Sequence, residues 1–328
     1  MKKKWKDLGY VDEPVPEKID LVKEIRKLRE EKNAVILAHF YQKPEVQDIA
    51  DFIGDSLDLS RKAADTGADV VLFAGVHFMA ETAKILSPGK KVLIPDLNAG
   101  CSLADSCPPD KFEMFKKTHP AHKVVTYVNT SAAIKALSDV CCTSTNALQI
   151  IEHFPKDQPL IFAPDRNLGQ YLNSLTGRNM LLWDGACLVH EEFSLERILE
   201  LKEEHPAAKI ISHPECQQPL RLVSDFIGST SALLKFTQQD SATSFIVATE
   251  SGILHQMQQA SPRKTFIPAP PNDSTCACND CEFMKMHDLT KIYLTLKYDW
   301  PEVTVKENIR TRAEEPVRRM LDWSQTPQ

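Results

Sequence analysis

The chain has 328 residues, 42% of them hydrophobic and 26% charged, which is enough for two or three ordinary domains and free of any biased tract. A formal net charge of −6 argues against a nucleic-acid partner. The MKKKWK start is followed by no apolar run, and no stretch reaches membrane-spanning length, so a cytoplasmic protein with no signal peptide and no membrane partner is expected.

In chain order, an amphipathic helix is predicted over 16–32. Three related segments come next: AVILAHFYQKPEVQDIADFIGDS (34–56), KVVTYVNTSAAIKALSDVCCTS (123–144) and KIISHPECQQPLRLVSDFIGST (209–230). Each opens with a short apolar, β-branched run that reads as a buried strand. Each then passes through a polar loop and a helix-like stretch to a small hydroxyl residue. Seventeen positions separate His39 from Ser56, Tyr127 from Ser144 and His213 from Thr230. The repeat period is 88, then 86, and matched landmarks in three copies point to an internal triplication.

The later parts of the units also match. A second strand is predicted at VVLFAG (70–75), PLIFAP (159–164) and SFIVAT (244–249), each followed by a helix-like segment. A third is predicted at KVLIP (91–95), NMLLW (179–183) and KTFIP (264–268). Strands alternating with helices imply parallel sheets covered on both faces. The expected fold is therefore α/β: three similar three-layer αβα units with short parallel sheets, arranged around a pseudo-threefold axis. The expected divisions are an extension over 1–19, a first unit over 20–104 completed by 282–328, a second over 105–190 and a third over 191–281. The stretch 288–323 reads as helix, strand, helix packing back on the first unit.

In such units ligands bind beyond the carboxyl ends of the strands. That places His39, Tyr41, Tyr127, Asn129, His213 and Glu215 at one end of the three first strands. The loop after each third strand, at the same end, carries cysteine: Cys101, Cys187, and a choice of Cys276, Cys278 and Cys281. Nine cysteines, an odd number with no export signal, do not suggest a disulfide framework. One thiolate from each unit can grip a [4Fe–4S] cluster and leave one iron open as a Lewis acid. A lone buried cysteine is commonly inert, and Cys276-Ala-Cys-Asn-Asp-Cys281 taken alone is half a zinc site. No second C-x-x-C or H-x3–5-H partner exists, however. Cys107, Cys141, Cys142 and Cys216 read as structural.

Ser56, Ser144 and Thr230 stand before helix-like stretches, where Ser and Thr are favoured caps and anions collect. Any one of them is a plain cap; three around a common centre suit a small, multiply anionic substrate. His190 follows Cys187 by three residues. His, Tyr and Glu at repeat-related places suit proton transfer. A non-catalytic iron–sulfur or zinc sensor has no need of them, whereas a cluster-dependent hydro-lyase has.

The segments AHFYQ (38–42), GDSLDLSR (54–61), AGCSLAD (99–105), YVNTSA (127–132), CTSTNA (142–147), CLVHEE (187–192), SHPEC (212–216), IGSTS (227–231) and CEFMKM (281–286) resemble, in order, the motifs of the A-type, iron–sulfur quinolinate synthases. The resemblance covers about 20–320. It implies condensation of iminoaspartate with dihydroxyacetone phosphate to quinolinate, phosphate and water in NAD biosynthesis, with pathway coupling to an L-aspartate oxidase. It also implies one [4Fe–4S] cluster on Cys101, Cys187 and Cys281, the last chosen because the family ligand directly precedes x-x-M-x-M. It makes Tyr41 and Glu215 the acid/base pair, with His213 and Tyr127 beside them in catalysis. It assigns His39, Ser56, Ser144, Ser229 and Thr230 to holding anions, Tyr127 and Asn129 to orienting the intermediate, and His190 to the pocket. Many members carry C-x-x-C-x-x-C where this chain has C-x-C-x-x-C, which speaks against a redox switch through Cys276 and Cys278.

Overall fold

The computed structural model describes residues 2–272 and 279–324. Among the described residues, twelve strands form three four-stranded sheets. The first contains β1 (Ala34–His39), β2 (Phe52–Gly54), β3 (Val70–Ala74) and β4 (Lys91–Leu93). The second contains β5 (Lys123–Tyr127), β6 (Val140–Cys142), β7 (Leu160–Ala163) and β8 (Leu181–Leu182). The third contains β9 (Lys209–Ser212), β10 (Phe226–Ile227), β11 (Ser244–Ala248) and β12 (Thr265–Pro268). Every pairing within them is parallel, and the orders β2-β1-β3-β4, β6-β5-β7-β8 and β10-β9-β11-β12 are the same arrangement three times. Continuous apolar runs form the central strands because helices cover both faces: Ile36, Leu37, Val71, Val125, Phe162, Ile211 and Val247 are all buried.

One side-chain device recurs in all three units. Asp51, Asp139 and Asp225 each accept the main-chain N–H fifteen residues back, at Ile36, Val124 and Ile210, over 2.9, 2.8 and 2.8 Å. Their own N–H groups bond back to the carbonyls of the same three residues. Each aspartate thus pins the start of a short edge strand to the central one and fixes the register, Leu37 facing Phe52, Val125 facing Val140 and Ile211 facing Phe226.

Those edge strands correct the three-strand reading. β2, β6 and β10 span only two or three residues. They lie where a helix-like stretch is expected; the helices themselves shrink to Pro44–Gln47, Ala132–Lys135 and Gln218–Val223. The predicted helix over 16–32 forms as Leu21–Glu31, and a further short helix precedes it at Lys2–Leu8.

The C-terminal stretch also differs from its reading. Helix Leu289–Tyr298 packs on the first unit, where Ile292 and Leu296 meet Ile25. Between it and helix Glu307–Trp323 there is a single antiparallel bridge, Leu93 to Glu302, in place of a strand. The last helix does not serve the first unit alone. Its Ala313, Val317 and Met320 share a core with Ile85 and Leu86 of the first unit and with Ala132 and Cys141 of the second. No helix among the described residues is long and apolar enough to cross a membrane.

Candidate active site

The carboxyl ends of β1, β5 and β9 open on one cavity of about 280 Å³. Each unit contributes a matched pair of residues to it: His39 and Tyr41, Tyr127 and Asn129, His213 and Glu215. Ser56, Ser144, His190 and Thr230 line it as well. Ser229 is buried behind the wall, where its hydroxyl accepts the N–H of Ala232 over 3.3 Å.

The backbone sets the histidine tautomers. Tyr41 N donates to His39 Nδ1 over 3.2 Å, and Glu215 N donates to His213 Nδ1 over 3.3 Å. A neutral imidazole whose Nδ1 accepts carries its proton on Nε2. Burial keeps both rings neutral, lowering His39 to about 4 and His213 to about 3. Two N–H donors therefore serve the site without a positive charge, and His213 Nε2 lies 3.2 Å from the Ser144 hydroxyl.

Glu215 is the centre of the polar network. Tyr127 donates to its Oε1 over 2.6 Å, and His190 Nδ1 lies 3.4 Å from its Oε2. Burial pushes this carboxyl up, but the neighbouring His190 and the hydrogen bond from Tyr127 more than offset it and hold it below the usual carboxylate range. Tyr41 and Tyr127 go the other way, pushed well above the ordinary phenol range by burial. At neutral pH the site therefore holds one ionised carboxylate and two protonated phenols, an acceptor and two donors of hydrogen bonds.

Thr249, which the sequence reading missed, joins three units. Its hydroxyl lies 2.7 Å from the Tyr41 hydroxyl and 3.0 Å from His190 Nε2, and Tyr41 also reaches Thr230 over 2.8 Å. A hydroxyl ending an apolar strand beside two candidate strand ends was the available signal. Asn129 faces the cavity with a buried Oδ1 that has no partner, an acceptor open to a ligand N–H or O–H.

The expected caps are displaced by one or two residues. Helix Ser56–Asp65 is capped by Asp55, whose Oδ1 takes the N–H groups of Leu57 and Asp58. Its Oδ2 accepts the hydroxyls of Thr145 and Ser231, one from each of the other units. A protein carboxylate thus already fills the first helix start. The second helix begins only at Ala147, behind Asn146. The third is capped by neutral Ser229 with Thr230 as its first residue, so of the three starts this one suits an anion best.

The thiols of Cys101, Cys187 and Cys281 all face the same cavity, one from each repeat. Nearby main-chain N–H groups, of Leu103 and Ala104, of His190, and of Phe283 and Met284 respectively, pull the pKa of each thiol down. Burial is the largest influence on them and, with no metal bound, pushes Cys101 up to about 12 and Cys281 to about 11, so both are thiols at neutral pH. Among the described residues no fourth cysteine lines the cavity, and three soft sulfur donors fit an iron–sulfur cluster with one open iron. Cys187, His190 and Glu215 also place donor atoms within 4.8 Å of one another. Glu215 is already engaged by Tyr127, which favours the all-thiol set. Cys107, Cys141, Cys142 and Cys216 are buried and free. Cys276 and Cys278 lie outside the described residues.

The family model of the quinolinate synthetase A protein matches residues 23–322. The chain belongs to the quinolinate synthetase A family. Its relatives include a quinolinate synthase of Thermosynechococcus vestitus, 59% identical over 311 residues that make up 95% of this chain and 97% of the relative. A quinolinate synthase of a Synechococcus species is 58% identical over 93% of this chain and 95% of its own. Another, of a Nostoc species, is 59% identical over 93% and 94%. Membership of this enzyme family fits a site with paired proton donors and acceptors.

Proposed function

We propose that the chain is a cytoplasmic quinolinate synthase. It condenses iminoaspartate with dihydroxyacetone phosphate and releases phosphate and water, in a pathway where an L-aspartate oxidase supplies the imine. Cys101, Cys187 and Cys281 would hold a [4Fe–4S] cluster, which when bound supplies a Lewis acid at the iron without a protein ligand. The observation that carries this reading is the convergence of those three thiols with Glu215, Tyr127 and Tyr41 on one cavity.

The chain's own groups support a division of labour. The Glu215 carboxylate takes protons from carbon or nitrogen as the ring forms, and the Tyr41 and Tyr127 phenols return them to departing oxygen. His39 and His213 offer Nε2–H donors to substrate carboxylates or carbonyls. Ser56, Ser144 and Thr230 add hydroxyl donors, with the phosphate best placed at the Ser229–Thr230 helix start. Tyr127 and Asn129 orient the intermediate, and the open Asn129 Oδ1 suits the imine or enamine nitrogen. The same acid–base set speaks against a non-catalytic sensor.

The test is an oxygen-free assay with the two substrates. The reading requires quinolinate and inorganic phosphate in equal amounts; water addition or loss on a hydroxy acid with no quinolinate would favour the hydro-lyase instead.

A further inference from the structure

The residue two places after the third strand of each unit occupies one repeat position: Val76 after β3, Asp165 after β7 and Glu250 after β11. In the second and third units this position is acidic and wholly buried. Both carboxylates do the same thing. Asp165 Oδ2 accepts the main-chain N–H of Cys187 over 3.3 Å, and Glu250 Oε1 accepts that of Cys281 over 3.2 Å. The second oxygen of each fixes its own strand end: Asp165 Oδ1 takes the N–H of Leu168 over 2.7 Å, and Glu250 Oε2 takes that of Gly252 over 2.7 Å. Glu250 also has a cation: Lys285 Nζ sits 2.7 Å from Glu250 Oε1 and donates to the Tyr41 carbonyl over 2.8 Å.

We propose that Asp165 and Glu250 are positioning residues that set the cysteine loops of the second and third units, each clamping the main-chain N–H of its cysteine so that the thiol faces the shared cavity before metal arrives. A buried carboxylate would not be retained for packing alone, because burying it is costly unless its oxygens are engaged. Here all four oxygens are. An amide is no substitute: it has one acceptor oxygen, and its NH2 would be turned against a main-chain N–H. Val76 offers the first unit no acceptor, so Cys101 depends on its own loop. The clamp also links the thiol centre to the acid–base network, since the Lys285 that pairs with Glu250 holds the Tyr41 backbone.

The inference rests on the cluster reading above, and the experiment separates the two. Wild-type protein, Asp165→Asn, Glu250→Gln and the control Asp225→Asn are purified without oxygen. Asp225 also clamps a main-chain N–H, but that of Ile210 in place of a cysteine's. Release of iron to a ferrous chelator and the electron paramagnetic resonance of the reduced protein are then compared. Asp165→Asn and Glu250→Gln should load iron but release it at least tenfold faster, with shifted g values, whereas Asp225→Asn should match the wild type in both. Wild-type release and spectra in both amide variants, or equal acceleration in Asp225→Asn, would overturn the proposal. Amide hydrogen exchange on wild-type apoprotein covers a variant that does not fold or a wild type that takes up no iron. The Cys187 and Cys281 amides should already be protected at least tenfold over free-peptide rates; exchange at free-peptide rates until metal is added would equally overturn it.

Discussion

The Tyr127 phenol donates to Glu215 Oε1 over 2.6 Å, across the seam between the second and third units. Neither residue has a use for the other in holding its own sheet; the bond lies at the strand ends, inside the cavity. Glu215→Gln is expected to keep the thiol site and lose turnover by about 10²–10⁴-fold, the range for a lost general base. Steady-state assays beside metal content check this, and normal turnover would remove Glu215 from the acid–base role.

Thr249 connects Tyr41 to His190 through one hydroxyl. Thr249→Val keeps the shape and removes the bridge, so kcat should fall roughly tenfold or more, in line with about 1.5 kcal/mol for a buried hydrogen bond. Thr249→Ser should restore it. Equal rates for Val and Ser would make Thr249 a packing residue.

The triplication, the central strands and the converging cysteines were legible because each depends on local pattern: an apolar run, a fixed spacing, a cysteine after the third strand. β2, β6 and β10 were not, since two or three residues carry no periodicity and pair only because β1, β5 and β9 present an edge and an aspartate to hold them. Asp55 and Thr249 act through partners in other units, at 90 and 176 positions for Asp55 and 59 and 208 for Thr249, and no window reaches that far. Asp165 and Glu250 had a visible signal, an acid straight after an apolar strand in two repeats, but their partners are main-chain groups that only the fold reveals. Helix Glu307–Trp323 read as an appendage of one unit because its sequence shows an apolar face and not the two surfaces that cover it.

His287 is wholly buried, bonds to the Gly75 carbonyl through Nε2 over 2.6 Å, and is lowered by burial to about 4. Between pH 6.5 and 4 the unfolded chain binds a proton there that the folded chain refuses, so stability must fall as pH drops through that window. The loss is on the order of 3 kcal/mol for this group, and His39 acts in the same direction. Urea unfolding of apoprotein at pH 7 and pH 4.5 checks it. His287→Gln should flatten the slope; an unchanged slope would contradict the assignment.

Cys281→Ala should abolish metal binding, while Cys276→Ala and Cys278→Ala should retain it. The thiol of Cys281 faces the cavity beside Cys101 and Cys187, which is why it is the proposed third-unit ligand. Equal behaviour of all three variants would show that another thiol serves.

The most direct test of the whole account is the iron and acid-labile sulfide content of protein purified without oxygen. Three thiols from three repeats holding one cubane require about four of each per chain, together with a brown colour. One zinc per chain and no sulfide would contradict it.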